Sequence, residues 1–230
     1  MMPQKIIKEI KAVLFDLDGV IIDSNQAIIN AWVTTAQEYG YNLTQDDIDN
    51  YIIGASHHFT LQHILPGETE VVRKTFHQKV DRREEEANYV LIKGVREFIF
   101  QLKKSTVKIG LVTSSWPEKV GSVITQHQLN VFDCIITRND VSKGKPDPQP
   151  YQMAIEKLNI DPEFALAFED SNNGIASASS AGIKSIAVNN KTAKSFASIS
   201  DFTEITVGQG NLLCKFYGEQ NGIRWRANKG

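Results

Sequence analysis

The chain has 230 residues, of which 41% are hydrophobic and 23% are charged, and its formal net charge is −2. This length allows one domain of ordinary size or a core with a smaller insertion, and the lack of a basic excess argues against a nucleic-acid partner. Cys134 and Cys214 are far apart and belong to no cluster of cysteine and histidine, which argues against a zinc site or a disulfide framework. Asp16 and Asp18 interrupt the first apolar run too early for a signal peptide or a membrane span. We therefore expect a cytoplasmic monomer with no membrane partner.

The first predicted strand is the apolar run that begins near Lys11 and ends at Asp16 and Asp18, which Gly19 follows. A continuous apolar run is typical of a buried parallel strand, and ligand sites in open α/β sheets lie beyond the carboxyl ends of the strands. Two carboxylates this close repel each other in a partly desolvated site, so both stay ionised only beside a cation. This predicts Mg²⁺ at Asp16 and Asp18. The alternative is that these acids merely solvate a turn.

A helical segment is predicted from about residue 26 to residue 89, because its apolar residues recur at helical spacing, as Ile28, Ala31 and Trp32 do. One break is expected at residues 66–67, which are proline and glycine. The run of mixed charge at residues 81–86 is expected to be a solvated helix face, since such runs support exposed helices through pairs four residues apart.

Strands and helices alternate after Gly94. Strands are predicted at residues 107–112, 133–137, 164–168 and 184–188, and helices begin near residues 95, 117, 150 and 175. This alternation predicts an α/β fold, a doubly wound parallel sheet with helices on both faces. We assign a core to residues 1–24 and 92–204, an inserted α-helical cap domain to residues 25–91, and a tail of unassigned role to residues 205–230, irregular beyond about Ile205.

Polar residues follow several of these strands. The Thr-Ser-Ser run at residues 113–115 precedes a helix that starts near Pro117, and hydroxyls with free backbone N–H groups at a helix start form an anion site. Either serine could simply be the cap of that helix, a role that is compatible with an anion site. Lys145 lies in the loop after the third core strand, and the fourth core strand ends in acids at Glu169 and Asp170.

Four strand ends thus deliver, in chain order, the runs Asp16-Leu17-Asp18-Gly19-Val20, Thr113-Ser114-Ser115, Lys145-Pro146 and Glu169-Asp170-Ser171. This ordered set resembles the four motifs of the haloacid dehalogenase superfamily of phosphotransferases, over roughly residues 11–190. The superfamily has a Rossmann-like core. The helical segment is similar to the cap that the β-phosphoglucomutase and phosphoglycolate phosphatase branch inserts between the first and second motifs.

The resemblance implies catalytic roles for four residues. Asp16 would be the nucleophile that forms an aspartyl phosphate, and Asp18 would be the general acid for the leaving alkoxide and then the base for water. Thr113 and Lys145 would bind the transferring phosphoryl oxygens, and Lys145 would also offset the charge on the attacking carboxylate.

The resemblance also implies Mg²⁺ as the cofactor. Its ligands would be Asp16, Asp170 and the backbone carbonyl of Asp18, with Glu169 as a further ligand or as the partner of one. The residues that would lie against the phosphate of the substrate are Gly19, Ser114 and Ser115.

The cap departs from the better-known relatives, in which a histidine commonly stands where this chain has Ile28, and an arginine where it has His57. These departures weaken the interpretation as a mutase, and they make His57 and His58 candidates for contact with the substrate. We expect a Mg²⁺-dependent phosphatase that hydrolyses a small phosphomonoester, either a sugar phosphate or a short organic-acid phosphate. The alternatives are a β-phosphoglucomutase-like phosphomutase and a catalytically silent binding domain.

Overall fold

The computed structural model describes residues 10–208, 211–214 and 223–224, with side chains from residue 10 to residue 205. In chain order the strands up to residue 199 are β1 (Ala12–Phe15), β2 (Ile22–Asp23), β3 (Val90–Leu91), β4 (Lys108–Val112), β5 (Cys134–Ile136), β6 (Ala165–Glu169), β7 (Lys184–Val188) and β8 (Ala197–Ile199). Six of them form a parallel sheet in the order β5-β4-β1-β6-β7-β8. The predicted parallel sheet is confirmed, and β8 extends it beyond the five strands expected.

The α-helices of the described residues lie in two groups, four between β2 and β3 and four after β3. They are α1 (Asn25–Glu38), α2 (Gln45–Asp47), α3 (His57–Ile64), α4 (Glu70–Glu85), α5 (Val95–Lys103), α6 (Pro117–His127), α7 (Gln149–Leu158) and α8 (Asn172–Ser180). A π-helical turn, Ile48–Ile52, continues α2.

Helices cover both faces of the sheet, and β1 lies at its centre. Side chains alternate between the two faces of a strand, so Val13 and Phe15 pack in one apolar cluster with α5 and α6, while Ala12 and Leu14 pack in the other with α7 and α8. All four side chains are fully buried. This arrangement explains why β1 reads as an uninterrupted apolar run, and it fixes the position of the residues that follow Phe15.

Helices α1 to α4 form the predicted helical insertion, with an apolar cluster of their own that includes Trp32 and Phe76. The two ends of the insertion meet where β2 pairs antiparallel with β3. The limits assigned to the cap domain, residues 25 and 91, fall at this ribbon and stay a prediction.

The charged run at residues 81–86 is not the solvated face that we expected. Glu84 is buried, and Asp81 and Arg83 are partly buried, whereas the other three residues are exposed. Asp81 and Glu84 are three residues apart on α4 and therefore share a face, which here meets the α/β core. Arg83 forms an ion pair within the insertion, with Glu38 of α1. The prediction was wrong because these charged side chains form ion pairs with other elements of the fold. The periodicity of the sequence alone does not reveal such contacts.

The expectation of an irregular tail beyond Ile205 was also wrong for part of the segment. Strands β9 (Ile205–Gly208), β10 (Asn211–Cys214) and β11 (Ile223–Arg224) form a separate antiparallel sheet. Among the described residues, no helix is both long enough and apolar enough to cross a membrane.

Candidate active site

The candidate site lies where three adjacent parallel strands end. Asp16 directly follows β1, Thr113 directly follows β4, and Asp170 directly follows β6. Because β1 lies between β4 and β6, their carboxyl ends meet at one edge of the sheet. The structure therefore brings together residues that are more than 150 positions apart in the chain.

Lys145 lies at the centre of this edge, and its side chain is 1% exposed. Its Nζ atom is 3.0 Å from Asp16 Oδ1 and 2.6 Å from Glu169 Oε1, and it donates a hydrogen bond to the carbonyl oxygen of Val112 at 3.0 Å. These three partners engage all three protons of the ammonium group. Burial disfavours the charge, but Asp16 and Glu169 together raise the pKa of Lys145 above its usual value, so it remains a cation.

Three carboxylates next to Lys145 have ligand atoms within 4.8 Å of one another, those of Asp16, Glu169 and Asp170. Burial, opposed by Lys145, raises the pKa of Asp16 to about 8, and burial together with the Asp16 charge raises the pKa of Asp170 to about 7. One lysine therefore does not compensate three buried acids. In addition, Glu169 Oε2 and Asp170 Oδ1 are buried without a hydrogen-bond partner among the described residues.

Unpartnered carboxylate oxygens that converge with a third acid are the donor set that a hard divalent cation prefers. The residues present therefore fit the implied metal ion. Gly19 makes room for the triad: it has a φ of 71°, and a Cβ there would lie 2.0 Å from Asp170 Oδ2. Asn25, the first residue of α1, donates a hydrogen bond to the same oxygen.

Asp18 points to a different set of partners. Its carboxylate accepts hydrogen bonds from the Ser24 hydroxyl at 2.6 Å, from the Ser115 hydroxyl at 2.6 Å and from Lys119 Nζ at 2.8 Å. Burial opposes the charged form of Asp18, but Lys119 and the two hydroxyls outweigh it and lower the pKa below its usual value. The side chain of Asp18 is thus held ionised, apart from the acidic triad.

Lys119 connects this part of the core to the helical insertion. Its side chain is 4% exposed, and its Nζ atom is 2.9 Å from Glu84 Oε2 on α4 as well as 2.8 Å from Asp18 Oδ1. These two carboxylates keep the pKa of Lys119 raised despite the opposing effect of burial. One buried ammonium group therefore joins the predicted acid–base residue to the cap.

The residues of the Thr-Ser-Ser run have different surroundings. Thr113 is buried, and its hydroxyl accepts a hydrogen bond from the backbone N–H of Ser115. Ser114 faces the cleft between the core and the insertion. Neither serine caps α6, because Trp116 occupies the position before that helix, so this interpretation was wrong.

His57 lines the same cleft as Asp16 and Asp18, whereas His58 does not and is exposed. The ring of His57 stacks on that of His77 with centroids 4.3 Å apart. Burial, reinforced by Arg138, lowers the pKa of His57 to about 4, and burial lowers the pKa of His77 to about 3. Both rings are therefore neutral at physiological pH.

Sequence reasoning missed Asn25, Glu84, Lys119 and Arg138. Lys119 carried a usable signal, because it lies one helical turn beyond Ser115, in the first turn of a helix that begins at a strand end. Glu84 and Arg138 carried none, since each acquires its role from a partner on the other side of the cleft.

The fold and the arrangement of acids and lysine define a hydrolase site of the haloacid dehalogenase type. Residues 13–188 match the family model described as haloacid dehalogenase-like hydrolase. The chain therefore belongs to the haloacid dehalogenase-like hydrolase family, and it is an enzyme of that family. The predicted resemblance is confirmed.

Curated relatives cover most of the chain. Over 181 residues it is 32% identical to the phosphorylated carbohydrates phosphatase of Thermotoga maritima. These residues make up 76% of this chain and 83% of that protein. It is 34% identical over 185 residues to the pyrophosphatase PpaX of Bacillus mycoides, covering 78% and 84% of the two chains.

A solved structure is also similar. The β-phosphoglucomutase of Clostridium difficile has a TM-score of 0.75 over 86% of this chain and 93% of that chain, with 22% sequence identity. This likeness shows the fold.

Proposed function

We propose that this enzyme is a Mg²⁺-dependent phosphatase that hydrolyses a small phosphomonoester through an aspartyl-phosphate intermediate. The observation that carries the proposal is the position of Asp16, whose buried carboxylate is held 3.0 Å from Lys145 Nζ at the floor of the cleft. The names of the two curated relatives agree with a small phosphorylated substrate.

In the first step, an Asp16 oxygen attacks phosphorus, so that a carboxylate–phosphorus bond forms while the ester oxygen–phosphorus bond breaks. The departing alkoxide takes a proton from Asp18 and leaves as the alcohol, so Asp18 must enter this step protonated, a form that the adjacent Lys119 ammonium opposes in the arrangement described above. Lys145 orients Asp16 and neutralises charge at the reacting centre, and the backbone and hydroxyls at residues 113–114 contact the phosphoryl oxygens.

In the second step, water attacks the phosphorus of the aspartyl phosphate and gives its proton to Asp18, which restores both groups for the next cycle. The observed contacts suit the ionised form of Asp18 that this step requires, since all three of its partners are donors. Lys119 is a positioning residue in this mechanism, because it holds Asp18 rather than contacting the substrate.

Mg²⁺ would be held by Asp16, Asp170 and Glu169, with the backbone carbonyl of Asp18 as a further ligand. When bound, it neutralises negative charge on the phosphoryl oxygens and on the attacking carboxylate. The two unpartnered carboxylate oxygens at the triad support this assignment.

The first test is ³¹P NMR of the protein with Mg²⁺ and a panel of phosphomonoesters. We expect inorganic phosphate to accumulate for at least one ester, to stop when EDTA is added, and to resume with excess Mg²⁺. Asp16→Asn should abolish turnover while circular dichroism remains unchanged, and a fully active variant would exclude the nucleophile assignment.

The same spectra distinguish the competing functions. A new ester resonance from β-glucose 1-phosphate and trace bisphosphate, without free phosphate, would identify a phosphomutase. No reaction with any ester, with the fold intact, would favour a silent binding domain.

A further inference from the structure

The wall of the cleft above Asp16 contains an ion pair between the core and the cap. Arg138, which follows β5, donates from Nη1 to Asp81 Oδ1 at 3.0 Å and from Nη2 to Asp81 Oδ2 at 2.8 Å. The two side chains are 17% and 19% exposed. This fork-to-fork geometry satisfies the guanidinium and carboxylate together and is the strong form of such a pair.

Arg138 is also fixed by its surroundings. Its guanidinium lies 4.7 Å from the ring centroid of Trp116, and its Nη1 atom is 3.3 Å from His77 Nε2. Its backbone N–H donates to the carbonyl oxygen of Ser115, which ties it to the catalytic edge of the sheet. The side chain is therefore not free to swing toward a ligand while Asp81 holds it.

The three cations that contact the acids of the cleft are each held by carboxylates. Lys145 is bound by Asp16 and Glu169, Lys119 by Asp18 and Glu84, and Arg138 by Asp81. The wall above the phosphoryl site, formed by Asp18, Glu84, Lys119, Asp81 and Arg138, has three negative and two positive groups. A second anionic group on the substrate would meet this wall without an unpaired cation.

The remaining polar groups of the wall are neutral. His57 and His77 are stacked and uncharged at physiological pH, and His57 Nδ1 is buried with no hydrogen-bond partner among the described residues. Trp32 and Trp116 line the same cleft. Aromatic faces and neutral hydrogen-bonding groups suit hydroxyl-bearing carbon chains.

We infer that the Asp81–Arg138 pair sets the specificity of this cleft, so that it accepts phosphate esters of uncharged, hydroxyl-bearing alcohols and rejects substrates with a second negative charge. This inference rests on the proposed phosphatase function. It separates the chain from a pyrophosphatase, whose leaving group is itself a phosphate. The physical reason is that a carboxylate or second phosphate would be desolvated beside carboxylates whose counter-ions are already occupied.

The test uses two esters that differ in one group. In sn-glycerol 3-phosphate the terminal carbon is an alcohol, and in 3-phosphoglycerate it is a carboxylate. With p-nitrophenyl phosphate as the reporter substrate, we expect the inhibition constant of 3-phosphoglycerate to exceed that of glycerol 3-phosphate by about tenfold or more. Inhibition measures binding whether or not either ester is hydrolysed, and the ratio of kcat/KM values gives the same comparison for esters that are hydrolysed.

Asp81→Asn removes the negative member of the pair and leaves Arg138 charged. We expect this variant to lower the ratio of the two inhibition constants by about tenfold, mainly through tighter binding of 3-phosphoglycerate. The double variant Asp81→Asn/Arg138→Gln keeps the net charge of the wild-type pair and should return the ratio toward the wild-type value. Glu85→Gln removes one negative charge from an exposed position of the same helix, and it should leave the ratio unchanged.

The inference is overturned if wild-type protein binds 3-phosphoglycerate or pyrophosphate at least as tightly as glycerol 3-phosphate, or if Glu85→Gln shifts the ratio as much as Asp81→Asn does. Both results leave hydrolysis of the reporter intact. Failure of the proposed function is distinct, because folded wild-type protein with Mg²⁺ would then not hydrolyse p-nitrophenyl phosphate, or Asp16→Asn would hydrolyse it normally.

Discussion

Two buried lysines organise this site, and they differ in what holds them. The partners of Lys145, Asp16 and Glu169, both belong to the α/β core, whereas Lys119 joins Asp18 of the core to Glu84 of the helical insertion. Each ammonium group is almost completely buried, and each contacts two carboxylates within 3.0 Å.

The difference indicates that the two aspartates predicted to be catalytic depend on different parts of the fold. The ion pairs around Asp16 are formed within the α/β core. The environment of Asp18 is complete only when α4 lies against α6, because Glu84 is needed to balance the charge of Lys119. The predicted nucleophile and the predicted acid–base residue are two positions apart in sequence, yet of the two only Asp18 shares its lysine with a carboxylate of the cap.

The largest effect is expected from Lys145→Met. The substitution leaves Asp16 and Glu169 buried without their cation, which should lower kcat by about 10³-fold and destabilise the fold by roughly 3–5 kcal/mol. Steady-state kinetics and urea unfolding measure the two effects. Lys143→Met, at an exposed position in the same loop, is the matched control and should change neither. Near-normal kcat in Lys145→Met would refute the role of this lysine.

A smaller loss of activity is expected from Lys119→Met, on the order of 10²-fold in kcat, because Lys119 positions Asp18 without contacting the reacting atoms. The variant also leaves Asp18 and Glu84 adjacent and unpaired, which is destabilising. Adding Glu84→Gln should recover much of the lost stability but little of the activity, whereas Lys119→Arg should retain both. If the double variant regained full activity, Lys119 would be only a structural counter-ion.

The smallest effect is expected in the pH dependence of folding stability, through two histidines on the cap side of the cleft. His57 and His77 have lowered pKa values of about 4 and about 3, against 6.5 for an unperturbed histidine. At pH values between each lowered pKa and 6.5, the unfolded chain binds more protons than the folded one. The stability of the fold therefore falls as the pH falls below about 6.5.

We expect each of the two histidines to account for about 1 to 2 kcal/mol of the stability lost between pH 7 and pH 5, after allowance for partial exposure. Urea unfolding of His57→Gln and His77→Gln at the two pH values should show a shallower decline than the wild-type protein. His58→Gln, at an exposed neighbouring position, serves as the control and should leave the slope unchanged. Equal slopes in all four proteins would contradict burial as the cause.

Much of the core could be predicted because its signals are local. The apolar run of β1 reflects burial on both faces of the sheet, and the acids that follow it mark the end of the strand. Strands β4 and β6 are likewise apolar runs that end at polar residues. The positions of Asp16, Thr113, Lys145 and Asp170 then follow from the rule that parallel strands end at one edge. The cap side of the site could not be predicted in this way, because a charged helix face has the same pattern whether it meets water or another helix.

By itself, the sequence determined the α/β class, the helical insertion and the edge of the sheet at which the polar strand-end residues meet, because periodicity and strand-end residues are properties of short segments. Only the tertiary structure decided that Glu84 pairs with Lys119 and that Asp81 pairs with Arg138. It also decided that Asp18 points away from the acidic triad. The physical reason is that a buried charge is stable only beside its counter-ion, and these counter-ions lie between 35 and 57 residues away in the chain.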